Sequence, residues 1–210
     1  MKFQNILFDL DGTLTDPGVG IKNSIRYALL KADLSSLTEE TLNSFIGPPL
    51  LDSFQKHCGV SFAESEQLLK FYREYFSQKG IYENTVYPSV PAVLEALQKQ
   101  GKRIYLATSK PEPFALRILE HFSLMPFFTF VGGSTMQETR TNKAEVIRYV
   151  MESNGLTSDS CLMVGDRSYD VDGAHQCGLA AAGVLYGYGS FEELNHAEFI
   201  LKTPKDLLLI

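Results

Sequence analysis

The sequence has little of what secreted and membrane-bound proteins usually show. Its three cysteines, Cys58, Cys161 and Cys177, form an odd set without C-x-x-C spacing, which favours a reducing compartment over a disulfide framework. The first residues lack the apolar segment and small-residue cleavage site of a signal peptide, and no apolar run approaches the length of a membrane span. These absences predict a cytoplasmic protein that has no membrane partner.

Positive charge is also scarce. The chain has 19 Lys and Arg against 25 Asp and Glu, a formal net charge of −6, and it contains no block of basic residues. A broad surface for a nucleic acid polymer is therefore not expected. An anionic ligand would need a local positive site.

What is present is typical of a packed globular protein. The 210 residues are 44% hydrophobic and 21% charged, which excludes a disordered, collagen-like or disulfide-scaffold chain. The length predicts one domain, or one domain that carries a large insertion.

The hydrophobic pattern predicts an α/β protein whose first strand is separated from the others by a helical block. Residues 6–8 form a short apolar run before a turn, which is typical of a strand buried in a parallel sheet. Residues 16–80 show only helical periodicity, whereas strand and helix patterns alternate from Tyr87 onward. We predict a Rossmann-like parallel-sheet core, residues 1–15 and 82–210, with an inserted small all-helical domain, residues 16–81.

Caps and helix breakers predict the bounds of single elements. Asp16 and Pro17 are typical of an N-cap and first helical residue, Ser61 and Glu64 of a capping box, and Pro111 of a first helical residue. The strands predicted after the insertion are 103–107, 127–131, 161–164 and 180–185.

Two carboxylates follow the first predicted strand. Asp9 and Asp11 lie at the carboxyl end of that strand, where open α/β sheets build ligand crevices. Residues i and i+2 of a strand point the same way, so these carboxylates would repel each other unless a cation lay between them or one held a proton. A divalent metal would relieve the repulsion; the alternative is a pair of solvated turn aspartates before Gly12.

A second acidic group follows the predicted strand 161–164. Asp166 follows that strand after Gly165, and Asp170 and Asp172 come in the next turn. Such oxygen-rich clusters suit Mg²⁺, which binds a few carboxylates and keeps several waters. Helix N-terminal capping is the alternative for Asp166 and Asp170, and it is the preferred interpretation of Asp172.

Two further positions suggest an anion site. Thr108 and Ser109 follow the predicted strand 103–107, where a hydroxyl group and the free amides of a helix N-terminus favour phosphate oxygens. Lys143 opens a later helix, where a cation is mildly unfavourable with the helix dipole, which suggests a specific reason for its presence. The alternatives are a simple helix cap for Thr108 and Ser109 and an exposed charge for Lys143.

Taken together, these features resemble the haloacid dehalogenase (HAD) superfamily of phosphohydrolases. Residues 9–16 match its first motif, Thr108 and Ser109 its second, Lys143 its third and residues 165–170 its fourth, in order and spacing over essentially the whole chain. The helical insertion resembles the small cap domain of the family. The chain is most similar to the phosphoglycolate phosphatase-like branch, and residues 107–112, 118–122 and 186–190 are similar to its bacterial 5′-nucleotidase-like members.

The resemblance implies the chemistry of a phosphomonoester phosphatase. Asp9 would be the nucleophile that forms an aspartyl-phosphate, and Asp11 would protonate the leaving alcohol and then deprotonate the attacking water. Asp11 is the acid that dehalogenases of the family lack.

The resemblance also implies how the substrate and the cofactor are held. Mg²⁺ would bind the Asp9 side chain, the main-chain carbonyl of Asp11 and Asp166, with Asp170 in support. Three groups would hold the phosphoryl oxygens, namely Thr108, the Ser109 amide and Lys143.

Other functions remain open at this stage. A calcium loop that began at Asp9 would need Gly at its sixth and Glu at its twelfth position, where the chain has Leu14 and Gly20, so this alternative is disfavoured. A sugar-phosphate phosphomutase shares the motifs, and a phosphate-binding module without turnover would need a catalytic Asp to be replaced. We expect a small phosphorylated metabolite as substrate and a monomer or small homo-oligomer.

Overall fold

The computed structural model describes residues 2–137 and 139–210 of the chain. The chain forms two compact units, one of residues 1–15 and 86–210 and the other of residues 16–85. The chain thus leaves the first unit after its first strand and returns to it about seventy residues later.

The first unit contains a six-stranded parallel sheet within the described residues. The strands are β1 (Asn5–Phe8), β4 (Arg103–Pro111), β5 (Phe130–Ser134), β6 (Cys161–Gly165), β7 (Ala180–Val184) and β8 (Phe199–Leu201). Their spatial order is β5-β4-β1-β6-β7-β8, and each described pair runs parallel. The short strands β2 (Thr15–Asp16) and β3 (Thr85–Val86) pair with each other where the chain passes between the units. The predicted α/β fold with a parallel sheet is confirmed.

Apolar residues on both faces explain why β1 lies at the centre of this sheet. All four of its residues are buried, and its register joins Phe8 to Leu106 of β4 and to Val164 of β6. A strand that is covered on both faces needs the continuous apolar run seen here. The helices of this unit are α5 (Val90–Lys99), α6 (Glu112–His121), α7 (Lys143–Asn154), α8 (Ser168–Gln176) and α9 (Phe191–Leu194).

The structure corrects several predicted bounds in this unit. The strand predicted as 127–131 is β5, which begins at Phe130 and includes both glycines, while Phe127 ends a short 3₁₀ turn. The glycines belong to the strand because neighbouring groups leave no room for a side chain: a β-carbon at Gly132 would lie 2.4 Å from Cγ2 of Val150. Strand β8 was not predicted, since its three residues are too short to show a period.

The prediction that Pro111 is the first residue of a helix is also wrong. Pro111 ends β4 and flanks α6, which begins at Glu112, so it is not the first helical residue. Its ψ of 128° is extended, because the strand ladder resumes at this residue and pairs it with Ser134.

The second unit is helical between its two crossing strands. Its helices are α1 (Gly18–Lys31), α2 (Glu39–Asn43), α3 (Leu50–Cys58) and α4 (Phe62–Tyr75), followed by a π-helical turn (Phe76–Gly80). The predicted capping box of Ser61 and Glu64 is confirmed at the start of α4. Helix α1 begins at Gly18, one residue later than predicted, and the Asp16 carboxylate accepts a hydrogen bond from the Gly18 amide at 3.0 Å.

No helix in the described part of the chain is both long enough and apolar enough to cross a membrane.

Candidate active site

The candidate site lies at the carboxyl ends of three adjacent strands. Because β1 pairs with β4 on one side and with β6 on the other, the residues that follow these strands meet at one edge of the sheet. Asp9 directly follows β1, and its amide donates to the carbonyl of Val164 in β6 at 2.9 Å. The parallel topology therefore brings the predicted residues together from distant parts of the sequence.

Three buried carboxylates form a cluster at this edge. Ligand oxygens of Asp9, Asp166 and Asp170 lie within 4.8 Å of one another. Burial, with the charges of Asp170 and Asp9, raises the pKa of Asp166 well above its ordinary value. Burial also raises the pKa of Asp170, to about 6, although Lys143 opposes the shift. Three buried carboxylates this close together fit a hard divalent cation, which would compensate their charge.

Glycine makes room for this cluster. At Gly12 a β-carbon would lie 2.1 Å from Oδ2 of Asp166, and the φ of 88° there is in the left-handed region that favours glycine. A side chain at this position would displace the Asp166 carboxylate.

Lys143 is a buried part of the cluster. Its Nζ lies 2.7 Å from Oδ1 of Asp9, 2.8 Å from Oδ1 of Asp170 and 3.1 Å from the carbonyl oxygen of Ala107. Burial disfavours its charged form, but the attraction of Asp170 and Asp9 outweighs burial and raises the pKa of the ammonium group. The exposed-charge alternative for Lys143 is wrong, because only 6% of the residue is accessible.

The structure does not place the Asp11 carboxylate in this cluster. Its Oδ2 lies 2.5 Å from Nζ of Lys110, and its Oδ1 is buried without a hydrogen-bond partner among the described residues. Burial raises the pKa of Asp11 and the Lys110 charge opposes that shift. Sequence reasoning did not assign Lys110 to the site, although it directly follows Ser109, because a lone basic residue after a strand resembles a solvated charge.

Thr108 and Ser109 lie where β4 leaves the regular ladder. The register joins Ala107 to Gly132 and then Pro111 to Ser134, so β4 has two more residues than β5 over this interval. Oγ1 of the buried Thr108 accepts from the Lys110 amide at 3.3 Å. The predicted anion site at a helix N-terminus is thus an irregular strand end that precedes α6.

A loop after β7 completes the surroundings of Asp166. The amide of Tyr188 donates to Oδ2 of Asp166 at 2.8 Å, and the hydroxyl of Tyr186 donates to the carbonyl of Thr13 at 3.1 Å. Gly189 lies so close that a β-carbon would be 2.0 Å from the Asp166 carbonyl oxygen. Residues 186–190 contributed to the family resemblance but were not assigned a role; the alternation of Tyr and Gly was the available signal.

The geometry is that of a buried acidic cluster with an ammonium group beside it, at the carboxyl ends of parallel strands, and comparison with known proteins gives the family of the chain. Residues 6–184 match the family described as haloacid dehalogenase-like hydrolase, and the chain belongs to that family. The predicted membership, including the likeness to phosphoglycolate phosphatases and 5′-nucleotidases, is confirmed, and the protein is an enzyme of the phosphatase class.

Individual relatives agree with this class. A Pseudomonas aeruginosa protein named 5′-nucleotidase is 45% identical over 194 residues, which are 92% of this chain and 88% of the relative. A phosphoglycolate phosphatase of Pseudomonas syringae pv. syringae is 35% identical over 193 residues, 87% of this chain and 70% of that protein. The crystal structure of a predicted phosphatase from Clostridium acetobutylicum superposes with a TM-score of 0.95 at 41% identity and covers 100% of both chains.

Proposed function

We propose that this enzyme is a Mg²⁺-dependent phosphomonoester hydrolase that acts on small phosphorylated metabolites of the nucleoside 5′-monophosphate or phosphoglycolate type. The observation that carries the proposal is the Asp9 carboxylate, buried at the centre of the sheet edge, with Lys143 on one of its oxygens and Asp166 and Asp170 beside it. The relatives named 5′-nucleotidase and phosphoglycolate phosphatase support the two substrate types.

Asp9 is the nucleophile in this proposal. Lys143 holds Oδ1, so Oδ2 attacks phosphorus while the bond from phosphorus to the leaving oxygen breaks, and the product is an aspartyl-phosphate. Water then attacks phosphorus, and the bond between Asp9 and phosphorus breaks to release phosphate. The two displacements replace one slow hydrolysis.

In this proposal Asp11 is the general acid of the first step and the general base of the second. It donates a proton to the leaving alcohol and then accepts one from the attacking water. Burial raises the pKa of its carboxyl group, which favours the protonated form that the first step needs, while Lys110 favours the carboxylate that the second step needs.

Lys143, Thr108 and the Ser109 amide hold the phosphoryl oxygens, and Lys143 also offsets the charge of Asp9 before attack. The candidate ligands of Mg²⁺ are the Asp9 side chain, the Asp11 carbonyl and Asp166, with Asp170 in support. When bound, the metal supplies positive charge that offsets the repulsion between the acidic cluster and an anionic substrate.

We further propose that the helical unit, residues 16–85, is the cap domain of the family and sets the preference among substrates. A cytoplasmic location and a monomeric or small homo-oligomeric state complete the proposal.

A screen of phosphorylated metabolites with Mg²⁺, read as free phosphate, tests this function. We expect turnover with nucleoside 5′-monophosphates or phosphoglycolate, loss of turnover in excess chelator, and its return with Mg²⁺. Turnover that persists in chelator contradicts the metal assignment, and a requirement for a bisphosphate activator indicates a phosphomutase.

The variant Asp9→Asn tests the nucleophile. Its turnover should fall to background with little change in stability, because the change is nearly isosteric and relieves carboxylate repulsion. Asp172→Asn is the matched control, since Asp172 lies on α8 two residues after Asp170 but pairs with His196 outside the cluster. Wild-type turnover by Asp9→Asn would refute the role of Asp9.

A further inference from the structure

Arg140 makes an unusual set of contacts outside the acidic cluster. Both Nε and Nη2 of its guanidinium donate to the carbonyl of Gly133, at 2.9 and 2.7 Å. The guanidinium carbon also lies 3.7 Å from the ring centroid of Tyr149 in α7. The two hydrogen bonds to one carbonyl oxygen, together with stacking on an aromatic ring, fix the orientation of this side chain.

Glu112 binds the backbone amide of the same glycine, Gly133. Its Oε2 accepts from the Gly133 amide at 3.3 Å and lies 3.6 Å from Nη2 of Arg140. The amide and the carbonyl of Gly133 are thus each bound by one member of an ion pair.

Gly133 in turn lies against the irregular end of β4. A β-carbon there would lie 2.7 Å from the carbonyl oxygen of Lys110 and 2.8 Å from Cα of Glu112. The strand ladder does not include residues 108–110, because it stops at Ala107 and resumes at Pro111. The position of this segment therefore depends on contacts such as those of Gly133.

The opposite end of the segment is held by Lys143, which donates to the Ala107 carbonyl. Arg140 lies three residues before Lys143, and Asn142 between them caps α7 by accepting from the Ala144 amide. Arg140 also has a φ of 55°, in the left-handed region that is unfavourable for a non-glycine residue.

We propose that Arg140 and Glu112 are positioning residues that fix the segment 108–110 relative to Lys143 and so set the affinity of the site for a phosphoryl group. The proposal rests on the proposed function, in which Thr108, Ser109 and Lys143 hold the phosphoryl oxygens. Neither residue contacts the reacting atoms in this proposal, so their effect passes through the backbone of β4 and β5.

The first test is inhibition by inorganic phosphate in the presence of Mg²⁺. We expect Arg140→Met to raise the inhibition constant of phosphate and the KM by about five- to tenfold, because small displacements of binding groups are costly. Partial unfolding would instead lower kcat and leave both constants unchanged, since the remaining folded molecules would bind normally. Arg140→Lys, which keeps the charge but loses the fork, should recover part of the affinity.

Arg148→Met is the matched control. Arg148 is exposed on helix α7, which begins three residues after Arg140, so the variant removes a positive charge without the contacts to Gly133. Its phosphate inhibition should equal that of the wild type. An unchanged constant in Arg140→Met, or an equal rise in Arg148→Met, would overturn the proposal.

Glu112→Gln is a milder variant that tests the same pair if Arg140→Met does not fold. We expect the double variant Glu112→Gln with Arg140→Lys to raise the inhibition constant less than the product of the two single effects, because both changes loosen the same glycine. Independent, multiplicative effects contradict a shared function.

Amide hydrogen exchange separates this inference from the proposed function. Peptides that cover 105–114 should exchange faster in Arg140→Met than in Arg148→Met, whether or not any phosphomonoester is hydrolysed. If the wild type hydrolyses none, the proposed function fails while the exchange result still decides whether the pair holds the segment. Equal exchange in the two variants refutes the positioning role.

Discussion

At the scale of single residues, Lys143 is the cation on which the acidic cluster depends. It contacts two of the three clustered carboxylates while itself being buried. Its removal leaves Asp9 and Asp170 without that partner, in surroundings where a second carboxylate charge is already disfavoured.

We therefore predict that Lys143→Met lowers kcat by more than one order of magnitude, as a loss of about 2–4 kcal/mol of transition-state stabilisation would do. Lys143→Arg should recover part of this loss because it keeps the charge. Steady-state kinetics with the best substrate of the screen measures both. Values of kcat and KM near wild type for Lys143→Met would remove Lys143 from the site.

Tyr186 offers a test of one hydroxyl group. In Tyr186→Phe the Thr13 carbonyl loses its donor, so the turn that carries Asp11 should loosen. We predict a several-fold loss of kcat and a loss of roughly 1 kcal/mol in the free energy of unfolding. Tyr169→Phe is the control, since Tyr169 is exposed; equal effects of the two variants would exclude a specific role for the Thr13 contact.

At the scale of elements, α7 presents Lys143 because of how that helix begins. Asn142 has an extended backbone and caps the helix, and Lys143 is the first helical residue. The cap therefore controls the position of the ammonium group as well as the stability of the helix.

We predict that Asn142→Ala destabilises the protein by about 1 kcal/mol and also lowers kcat, because the first turn of α7 loosens. Ser61→Ala removes a comparable cap from α4 and should destabilise without this loss of kcat for a small generic phosphate ester. Chemical denaturation and kinetics on the same samples measure the two effects. A loss of stability in Asn142→Ala with unchanged kcat contradicts the link between cap and lysine.

Element bounds were predictable where local chemistry decides them. The capping box of Ser61 and Glu64 needs only residues within one turn, so the sequence contains the whole interaction. The bounds of β5 depend instead on Gly132 and Gly133, which read as strand breakers but lie where Val150 and the Lys110 carbonyl exclude side chains. Such contacts join residues distant in sequence, and no local pattern records them.

The residues of the candidate site also differ in whether a local sequence pattern identifies them or only the folded chain does. Asp9 and Asp166 were predictable because each directly follows an apolar strand, and parallel strands meet at one edge. Lys110 and Arg140 were not, because a lone basic residue in a loop or strand end has no pattern that separates it from a solvated charge. Their partners, Asp11 and Glu112, become evident once the chain is folded.

At the scale of the whole molecule, the acidic cluster couples metal binding to stability. Burial raises the pKa of Asp166 and of Asp170, the latter to about 6, so protons compete with the metal for these carboxylates. Mg²⁺ should therefore stabilise the fold above about pH 6, and the effect should fade as the pH falls through that value.

We predict that Mg²⁺ at 100 times its dissociation constant raises the free energy of unfolding by about 2.7 kcal/mol at pH 8. Thermal unfolding with Mg²⁺ or chelator, at pH 8 and pH 5, measures the difference, and Asp166→Asn should respond less than wild type at pH 8. An equal response at both pH values would show that the metal binds elsewhere.

The order of the strands has a consequence for synthesis on the ribosome. Strand β1 is made first, but its two neighbours in the sheet are β4 and β6, which the ribosome completes only after residues 111 and 165. At 5–20 residues per second, roughly 8–30 s pass between the emergence of β1 and that of its second neighbour. The helical unit, which is continuous in sequence, is complete well before then. We expect the helical unit to fold during this interval. Over the same time the apolar strand β1 lacks its sheet neighbours, so we expect it to be the segment that chaperones bind most readily.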